Sequence, residues 1–178
     1  MKYFFDTEFI EDGHTIDLIS IGMVCDDGRE LYMVSSEFDE SKADDWVRKH
    51  VLNHIPRDIR RYTRREIAAA VNAFTLEPLV RYFAQAPAKN KKAMRPQMWA
   101  YFADYDWVVL CQLYGRMKDL PDHLPQYCRD LKQFADDLGN PQLPNQKGTN
   151  HHALDDARWA KEAWDYLHEL RIHNANRL

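Results

Sequence analysis

Two acidic residues interrupt an apolar, aromatic stretch near the start of this 178-residue sequence, in the segment FFDTEF. Side chains two residues apart in a β-strand share a face, so Asp6 and Glu8 project together while Phe5, Thr7 and Phe9 point the other way. Burying an unpaired charge costs several kcal/mol, so a buried pair of carboxylates indicates a cation between them. The alternative is an edge strand with one face in solvent.

A third acid lies in the segment ADYDWVVLCQLYG. If this segment is helical, Asp106 shares its core-facing stripe with Val109, Leu110 and Leu113, which follow it at helical offsets. Asp104, two residues earlier, has an ordinary explanation as the residue that caps the helix. The pattern therefore identifies Asp106, and not Asp104, as an acid in an apolar environment.

A fourth acid lies in the segment HHALDDARWAKEAWDYLHEL. At about 100° per residue, Asp156 falls within the apolar arc of a helix, whereas Asp155 falls outside it and is expected in solvent. The apolar arc consists of Ala153, Ala157, Ala160, Ala163, Trp164, Leu167 and Leu170. Three separate segments thus each place an acid where an apolar residue is expected.

Together, Asp6, Glu8, Asp106 and Asp156 carry four formal negative charges, which two divalent cations would neutralise. Carboxylate oxygens are hard ligands that favour Mg²⁺ or Mn²⁺. Two such ions about 4 Å apart activate water and stabilise the leaving oxygen in phosphodiester hydrolysis. If the fold brings the three segments together, the sequence predicts a two-cation site for this chemistry.

The same chemistry needs a base, and two adjacent histidines precede the last acid. His151 is about 140° from Asp156 around a helix, so the two side chains cannot share a helical face. His151 fits the role of a base that approaches from the loop side of the helix while Asp156 holds the metal. Its imidazole can accept a proton near neutral pH. The alternative for His151 and His152 is an exposed pair at a helix start.

Hydrophobic periodicity and turn signals predict the elements that position these residues. The stretches KYFFDTEFI, IDLISIGMVC and ELYMVSSEF are separated by EDGH and DDGR, whose Asp-Gly pairs predict an antiparallel meander from Lys2 to Phe38. Helices are predicted for Asp39–Asn53, Arg57–Ala86, about Tyr105–Tyr114, roughly Pro125–Leu138 and His152–Leu170; strands for Gln97–Phe102 and briefly near Tyr127–Leu131; and loops for Ala86–Pro96 and GNPQLPNQKGTN. This order predicts an α/β fold with a sheet of mixed direction.

Length and composition narrow the class of protein. A chain of 178 residues with 45% hydrophobic and 29% charged residues is typical of a single domain, here 1–178. Apolar runs fall short of the roughly 20 residues of a membrane span, and the N-terminus lacks a signal-peptide pattern, so we expect no membrane and a cytoplasmic protein. Cys25, Cys111 and Cys128 have neither disulfide nor zinc spacing.

A net charge of −4 gives no overall attraction to nucleic acid, so such binding would depend on local basic clusters. If helical, one set of arginines falls within an arc of about 140° and could follow a phosphate backbone, or form a solvated face paired with Asp58 and Glu66. Phe9, beside the acids, is either a residue that stacks on a terminal base or part of the core. The arginines are Arg57, Arg60, Arg61, Arg64 and Arg65, and a second cluster comprises Lys89, Lys91, Lys92 and Arg95.

The acidic motifs occur in an order that resembles a known family. DTE in the first strand, YD at the start of the middle helix and HHALDDA, read as H-x-x-x-x-D, resemble the DEDDh exonucleases, whose fold is ribonuclease H-like. These motifs span nearly the whole chain. The segments YFFDTEFIEDGHTIDLISIGMV and YDWVVLCQLYG are similar to a small, homodimeric actinobacterial branch that is specific for polyadenylate.

The resemblance implies a ribonuclease H-like mixed sheet, with three antiparallel strands followed by parallel strands, flanked by helices. It implies a 3'-to-5' exonuclease that uses two Mg²⁺ (or Mn²⁺) on single-stranded RNA and forms a homodimer. The implied metal ligands are Asp6, Glu8, Asp106 and Asp156, with His151 as the general base and Glu8 also among the catalytic residues. Residues 55–96 lie outside the resemblance, which leaves substrate preference open.

Three other functions are compatible with parts of the pattern. A single-stranded DNA exonuclease would use the same chemistry. A phosphomonoesterase with a strand-end Asp nucleophile would be expected to carry D-x-D in place of D-T-E, and it would not need His151. A catalytically inactive nucleic-acid-binding module would keep buried, unpaired carboxylates only at a cost in stability.

Overall fold

The computed structural model describes residues 1–85 and 95–177. Short 3₁₀ turns occur at Glu40–Lys42, Leu52–His54 and Met117–Asp119. The strands within the described residues are β1 Lys2–Glu11, β2 Ile16–Cys25, β3 Glu30–Ser35, β4 Arg61–Tyr62, β5 Gln97–Ala100 and β6 Arg129–Asp130, and the helices are α1 Asp45–His50, α2 Arg64–Gln85, α3 Asp104–Gln112, α4 Leu131–Asp137 and α5 Ala153–Ala175.

The predicted three-strand meander is confirmed. β1 pairs antiparallel with β2, and β2 pairs antiparallel with β3. In the first turn, Asp12 Oδ1 accepts the backbone N–H of His14 at 3.0 Å and of Thr15 at 2.7 Å, while Gly13 has a φ of 81°. Glycine adopts that φ without steric cost, so the Asp-Gly pair specifies the turn.

The full sheet is mixed, with the strand order β4-β3-β2-β1-β5-β6. β5 pairs parallel with β1, β6 pairs parallel with β5, and β4 pairs parallel with β3. Helices pack on the sheet through separate apolar clusters. The predicted α/β fold with a mixed sheet flanked by helices is therefore confirmed.

β1 is central and buried on both faces. Tyr3 and Phe5 belong to the core on the side of α3, where Phe5 meets Trp107 with ring centroids 6.2 Å apart. Phe4 belongs to the opposite core and meets Trp164 of α5 at 5.9 Å. Because side chains alternate along a strand, the even-numbered positions that follow Phe4 also face α5.

α5 approaches the sheet closely because its contact face consists of small residues. Ala153, Ala157 and Ala163 are fully buried. In β2, a Cβ atom added to Gly22 would lie 2.3 Å from the backbone of Ala153. The absence of a side chain at Gly22 therefore lets the first turn of α5 rest directly against the sheet.

The predicted continuous helix at Asp39–Asn53 is wrong. This segment forms the 3₁₀ turn Glu40–Lys42, then α1, then the 3₁₀ turn Leu52–His54. Asp39 Oδ1 accepts the Ser41 N–H at 3.0 Å, and Asp44 Oδ1 accepts the Val47 N–H at 2.7 Å. Two successive caps therefore start two separate turns.

The predicted helix from Arg57 begins at Arg64 instead. Glu66 accepts the Thr63 N–H at 2.8 Å, and Thr63 Oγ1 accepts the Glu66 N–H at 3.2 Å. This reciprocal capping box fixes the start of α2. The arginines before residue 64 precede the helix, so the predicted arginine stripe does not form.

Further boundaries also differ from expectation. α3 begins at Asp104 itself, so Asp104 is not the cap. α4 begins at Leu131 and not at Pro125, because Asp130 accepts the Gln133 N–H at 2.8 Å and starts the helix there. The short strand predicted near Tyr127–Leu131 is confirmed as β6.

Only the end of the predicted loop Ala86–Pro96 lies within the described residues. Residues 86–94, with the predicted lysine cluster, lie outside the described residues, whereas Arg95 and Pro96 lead directly into β5. Within the described ranges, no helix combines the length and apolar character needed to cross a lipid bilayer.

We expect Gly22→Ala to lower the free energy of unfolding by about 3 kcal/mol, because the new methyl group would overlap the Ala153 backbone and push α5 from the sheet. Urea unfolding measures this loss. Gly13→Ala is the control: its Cβ would meet open space, and its positive φ alone should cost about 1 kcal/mol. Equal losses in the two variants would contradict the close approach.

Candidate active site

Three of the predicted acids converge on one point. β1 presents Asp6 and Glu8 toward α5, and Asp156 lies in the first turn of α5. Each of the three offers an oxygen that lies within 4.8 Å of the other two. This is close to the separation of oxygens that share one divalent cation. The start of a helix also favours a carboxylate electrostatically, which supports the position of Asp156.

Asp106 joins the cluster from α3 and is held by β1. Its Oδ1 accepts the Thr7 N–H at 2.8 Å and the Thr7 hydroxyl at 2.5 Å. β5 pairs with β1 only from Lys2 to Phe4, so the Thr7 N–H lies beyond that ladder and needs another acceptor. Asp106 supplies that acceptor, which docks the first turn of α3 beside the end of β5.

The carboxylates raise one another's pKa. Burial, followed by the charges of Asp106, Glu8 and Asp156, raises the pKa of Asp6 well above its ordinary value. Burial, followed by the charges of Asp156 and Asp106, raises the pKa of Glu8 to about 8. Burial and mutual repulsion therefore disfavour full ionisation of the cluster, and a bound cation would oppose this effect.

The other two acids are partly relieved by hydrogen bonds. Burial raises the pKa of Asp106 to about 6, although the bonds from Thr7 act in the opposite direction. Burial also raises the pKa of Asp156, while the bond from Gln146 and the nearby His151 oppose that rise. The four acids thus differ in how strongly the protein itself stabilises their charge.

Gln146 is a site residue that the sequence pattern did not identify. Its amide nitrogen donates to Asp156 Oδ1. The surrounding segment is anchored to α5 because the Trp159 Nε1–H donates to the Pro144 carbonyl at 2.8 Å. The sequence shows only turn-forming residues here, and no local signal marks Gln146 as a partner of Asp156.

The two adjacent histidines have different surroundings. His151 lines the cleft on the loop side of α5, and its exposed ring meets Trp46 edge-on at 4.7 Å. Its φ of 61° is uncommon outside glycine. The ring of His152 lies 4.5 Å from that of Tyr32, with Nδ1 3.7 Å from Asp155. The geometry therefore places His151, as predicted, on the cleft side.

Aromatic side chains and the acids together line an open cleft of about 480 Å³. Phe9 stacks on Tyr105 with ring centroids 5.8 Å apart and planes 11° from parallel. Phe102, at 62% exposure, and Trp46, at 49%, also line the cleft. Of this set, the sequence pattern identified only Phe9, because nothing in its periodicity separates an exposed aromatic residue from a core one.

The predicted arginine set lies elsewhere. The guanidinium of Arg60 lies 4.7 Å from the ring centroid of Tyr62, and that of Arg61 lies 5.4 Å from the ring centroid of Phe38. None of these arginines lines the cleft. The local arrangement of carboxylates and an imidazole can bind divalent cations and accept a proton, and these roles stay predictions.

This chain is similar to several known proteins. A chain in the structure of the yeast NOT1 MIF4G domain co-crystallized with CAF1 aligns with a TM-score of 0.46 and 15% identity, over 97% of this chain and 80% of that one. In Mycobacterium tuberculosis, the 3'-5' exoribonuclease Rv2179c of strain H37Rv and the 3'-5' exoribonuclease MT2234.1 of strain CDC 1551 are each 44% identical over 172 residues. These matches cover 97% of this chain and 92% of each relative. The profile of the 3'-5' exoribonuclease Rv2179c-like domain matches residues 1–168, and the chain belongs to this family.

Proposed function

We propose that the protein is a 3'-to-5' exoribonuclease that hydrolyses single-stranded RNA to nucleoside monophosphates with two Mg²⁺ (or Mn²⁺) ions. Family membership supports the reaction, because the relatives carry the name 3'-5' exoribonuclease. The observation that carries the proposal is the group of oxygens from Asp6, Glu8 and Asp156 within 4.8 Å of one another, with Asp106 beside it. We assign the chain to the DEDDh exonucleases, as a single ribonuclease H-like domain over 1–178.

The donor set fits the proposed metal. All four side chains offer carboxylate oxygens, which are the ligands that Mg²⁺ and Mn²⁺ prefer. The ions would lower the pKa of the attacking water and stabilise the charge on the leaving oxygen. Asp6, Glu8, Asp106 and Asp156 would hold them, and the raised pKa values of these acids support a site built to share positive charge.

His151 is the proposed general base, and Glu8 belongs with it to the catalytic residues. The His151 ring is exposed and approaches the cleft from the loop before α5, where it can take a proton from water. Trp46 limits its movement on one side through the edge-on contact at 4.7 Å. The imidazole therefore has both access to solvent and a defined position.

The open, aromatic-lined cleft supports a single-stranded substrate. Unpaired bases stack on exposed aromatic rings, and the Phe9–Tyr105 pair offers such a platform. RNA in preference to DNA rests on the family name, and a preference for adenine rests on the resemblance to the polyadenylate-specific branch. A homodimer rests on the same resemblance, and cytoplasmic location on the sequence; light scattering of the purified protein tests the dimer.

The first experiment is a time course on 5'-labelled oligoadenylate, mixed-sequence RNA and matched DNA, each with Mg²⁺ and with EDTA. We expect a Mg²⁺-dependent ladder that shortens from the 3' end, faster on RNA. Faster cleavage of DNA would favour a DNA exonuclease. No ladder, together with release of phosphate from a small phosphate ester, would favour a phosphomonoesterase, and RNA binding without cleavage would favour an inactive binding module.

Asp106→Asn is expected to fold normally and to lose activity by about 100-fold or more, because the amide oxygen can still accept from Thr7 but carries no charge for a cation. Asp104→Asn is the matched control, since that exposed acid lies two residues earlier on the same helix. Equal activity in the two variants would refute the assignment of Asp106 as a ligand. Thermal unfolding verifies the fold of both.

His151→Ala is expected to reduce kcat by about 10²-fold or more through loss of the base, while Mg²⁺ still raises the unfolding temperature. His152→Ala is the matched control and should retain kcat, because His152 packs against Tyr32 outside the cleft. Loss of the Mg²⁺ response in His151→Ala would show that the histidine acts through the metal site. A larger loss of kcat in His152→Ala would assign the base to the other ring.

Metal-free stability should fall as the pH rises from about 5 to 8. The folded protein raises the pKa of Glu8 from 4.5 to about 8 and that of Asp106 from 3.8 to about 6, so it binds more protons than the unfolded chain in this window. Unfolding temperatures in EDTA measure the fall. Glu8→Gln should flatten it and weaken stabilisation by Mg²⁺, whereas Glu169→Gln, an exposed control, should change neither. An identical pH slope in wild type and Glu8→Gln would contradict the shifted pKa.

A further inference from the structure

A second pocket, here called the edge pocket, opens where β5 begins. Its volume is about 360 Å³, and its lining includes Arg95, Gln97, Gln126, Tyr127 and Arg129. It lies between the start of β5 and the segment that leads into β6. The acids of the cleft are not part of its lining, so the edge pocket is a separate site.

The edge pocket carries unpaired positive charge. Among the residues that the structure describes, no Asp or Glu lines it. In the part of the chain that the structure describes, neither Arg95 nor Arg129 lies within 4.0 Å of a carboxylate oxygen. Arg116, in contrast, pairs with Asp119 at 2.8 Å. With a net charge of −4 for the chain, two uncompensated guanidinium groups in one pocket are a local feature that favours an anionic ligand.

Arg129 is positioned by aromatic rings. Its guanidinium carbon lies 5.5 Å from the ring centroid of Trp99 and 5.9 Å from that of Tyr127. Its backbone is fixed as well, because β6 pairs with β5 at Trp99. The ring contacts use none of the N–H donors of the guanidinium on a carboxylate, and the forked arrangement of these donors matches the geometry of a phosphate.

Tyr127 adds the second property of a nucleic-acid site. Its side chain is 61% exposed and lines the pocket beside Arg129. An exposed aromatic ring next to guanidinium groups is the combination that binds single strands, because bases stack while phosphates pair with cations. The nearest acid on β6, Asp130, uses both oxygens on backbone N–H groups, of Ala103 at 2.7 Å and of Gln133 at 2.8 Å.

β5 connects the edge pocket to the candidate active site. Gln97 and Met98 line the pocket, whereas Tyr101 and Phe102, which directly follow β5, line the cleft. A four-residue strand spans about 10 Å, which is within reach of one extended nucleic-acid strand. We propose that the edge pocket binds a phosphate of the RNA strand a few nucleotides upstream of the 3' end, with Tyr127 stacked on a base. This inference rests on the proposed function.

The test compares RNA substrates that differ in length, and therefore in whether they extend from the active site to the edge pocket. We expect Arg95→Ala/Arg129→Ala to raise KM for a 5'-labelled 20-nucleotide RNA by about tenfold, leave kcat unchanged, and leave both constants unchanged for a dinucleotide too short to reach the pocket. The slope of log KM against log salt should fall by about 0.7, because the double variant loses one phosphate contact of a single strand. Arg116→Ala, which removes an already paired guanidinium, should behave as wild type.

A free nucleoside monophosphate offers the same phosphate-and-base chemistry as the strand. If AMP inhibited the double variant more weakly than wild type while KM for the 20-nucleotide RNA stayed unchanged, the pocket would bind free nucleotide. That result would overturn the proposal. Because Arg129 also packs against Trp99, Arg95→Ala alone is the second variant, with an expected rise in KM of about threefold. Unchanged KM in both variants would overturn the proposal too.

A binding measurement distinguishes failure of the proposed function from failure of the edge-pocket proposal. If wild type hydrolysed neither substrate, fluorescence anisotropy of the labelled 20-nucleotide RNA in EDTA would still measure binding to the edge pocket. Weaker binding by the double variant than by Arg116→Ala would then support the pocket while the exonuclease was rejected. Equal binding by the two would reject the pocket as well.

Discussion

Repulsion among four carboxylates gathered at the middle of β1 is the constraint on which the rest of the structure depends. Burial removes the water that would screen these charges, so each acid disfavours ionisation of its neighbours. Rigid elements on all sides hold them together nonetheless. β2 and β5 pair with β1, Thr7 fixes the first turn of α3 through Asp106, and the bare backbone of Gly22 admits the first turn of α5. The fold thus maintains an arrangement that a bound cation would relieve.

The four acids are not equivalent, because within the described residues only Asp106 and Asp156 receive hydrogen bonds that oppose the rise of their pKa. Asp106 receives two hydrogen bonds from Thr7, and Asp156 receives one from Gln146. The pKa of Asp6 is raised by burial and by all three other acids, with no opposing contribution. A cation beside Asp6 would therefore offset both its burial and its repulsion by the other acids, and the central position of Asp6 on β1 gives the cluster its common point.

The sequence alone identified the acids of the cluster, because each of them stands out from its near neighbours along the chain. Strand alternation identified Asp6 and Glu8, and helical spacing identified Asp106 and Asp156, because each pattern compares an acid with its own close neighbours. The partners of the acids were not accessible in this way. Gln146, Trp46 and Phe102 reach the site only through tertiary contacts, and their segments carry no period that marks them. The arginine stripe failed for another reason: a single capping box at Thr63 overrides the helical pattern before it.

The proposed edge pocket would help an acidic protein to attract a polyanion. A metal-free cleft presents carboxylates, which would repel the phosphates of an approaching RNA, and the net charge of −4 does not offset this repulsion. Attraction therefore has to come from cations in the cleft or from basic groups outside it. Arg95 and Arg129 line the edge pocket with Gln97 and Met98, and among the described residues neither pairs with a carboxylate, so in our proposal they would supply such basic groups. In this proposal, the basic groups of the edge pocket would hold the substrate, and the acids of the cleft would be left to bind the proposed metal ions.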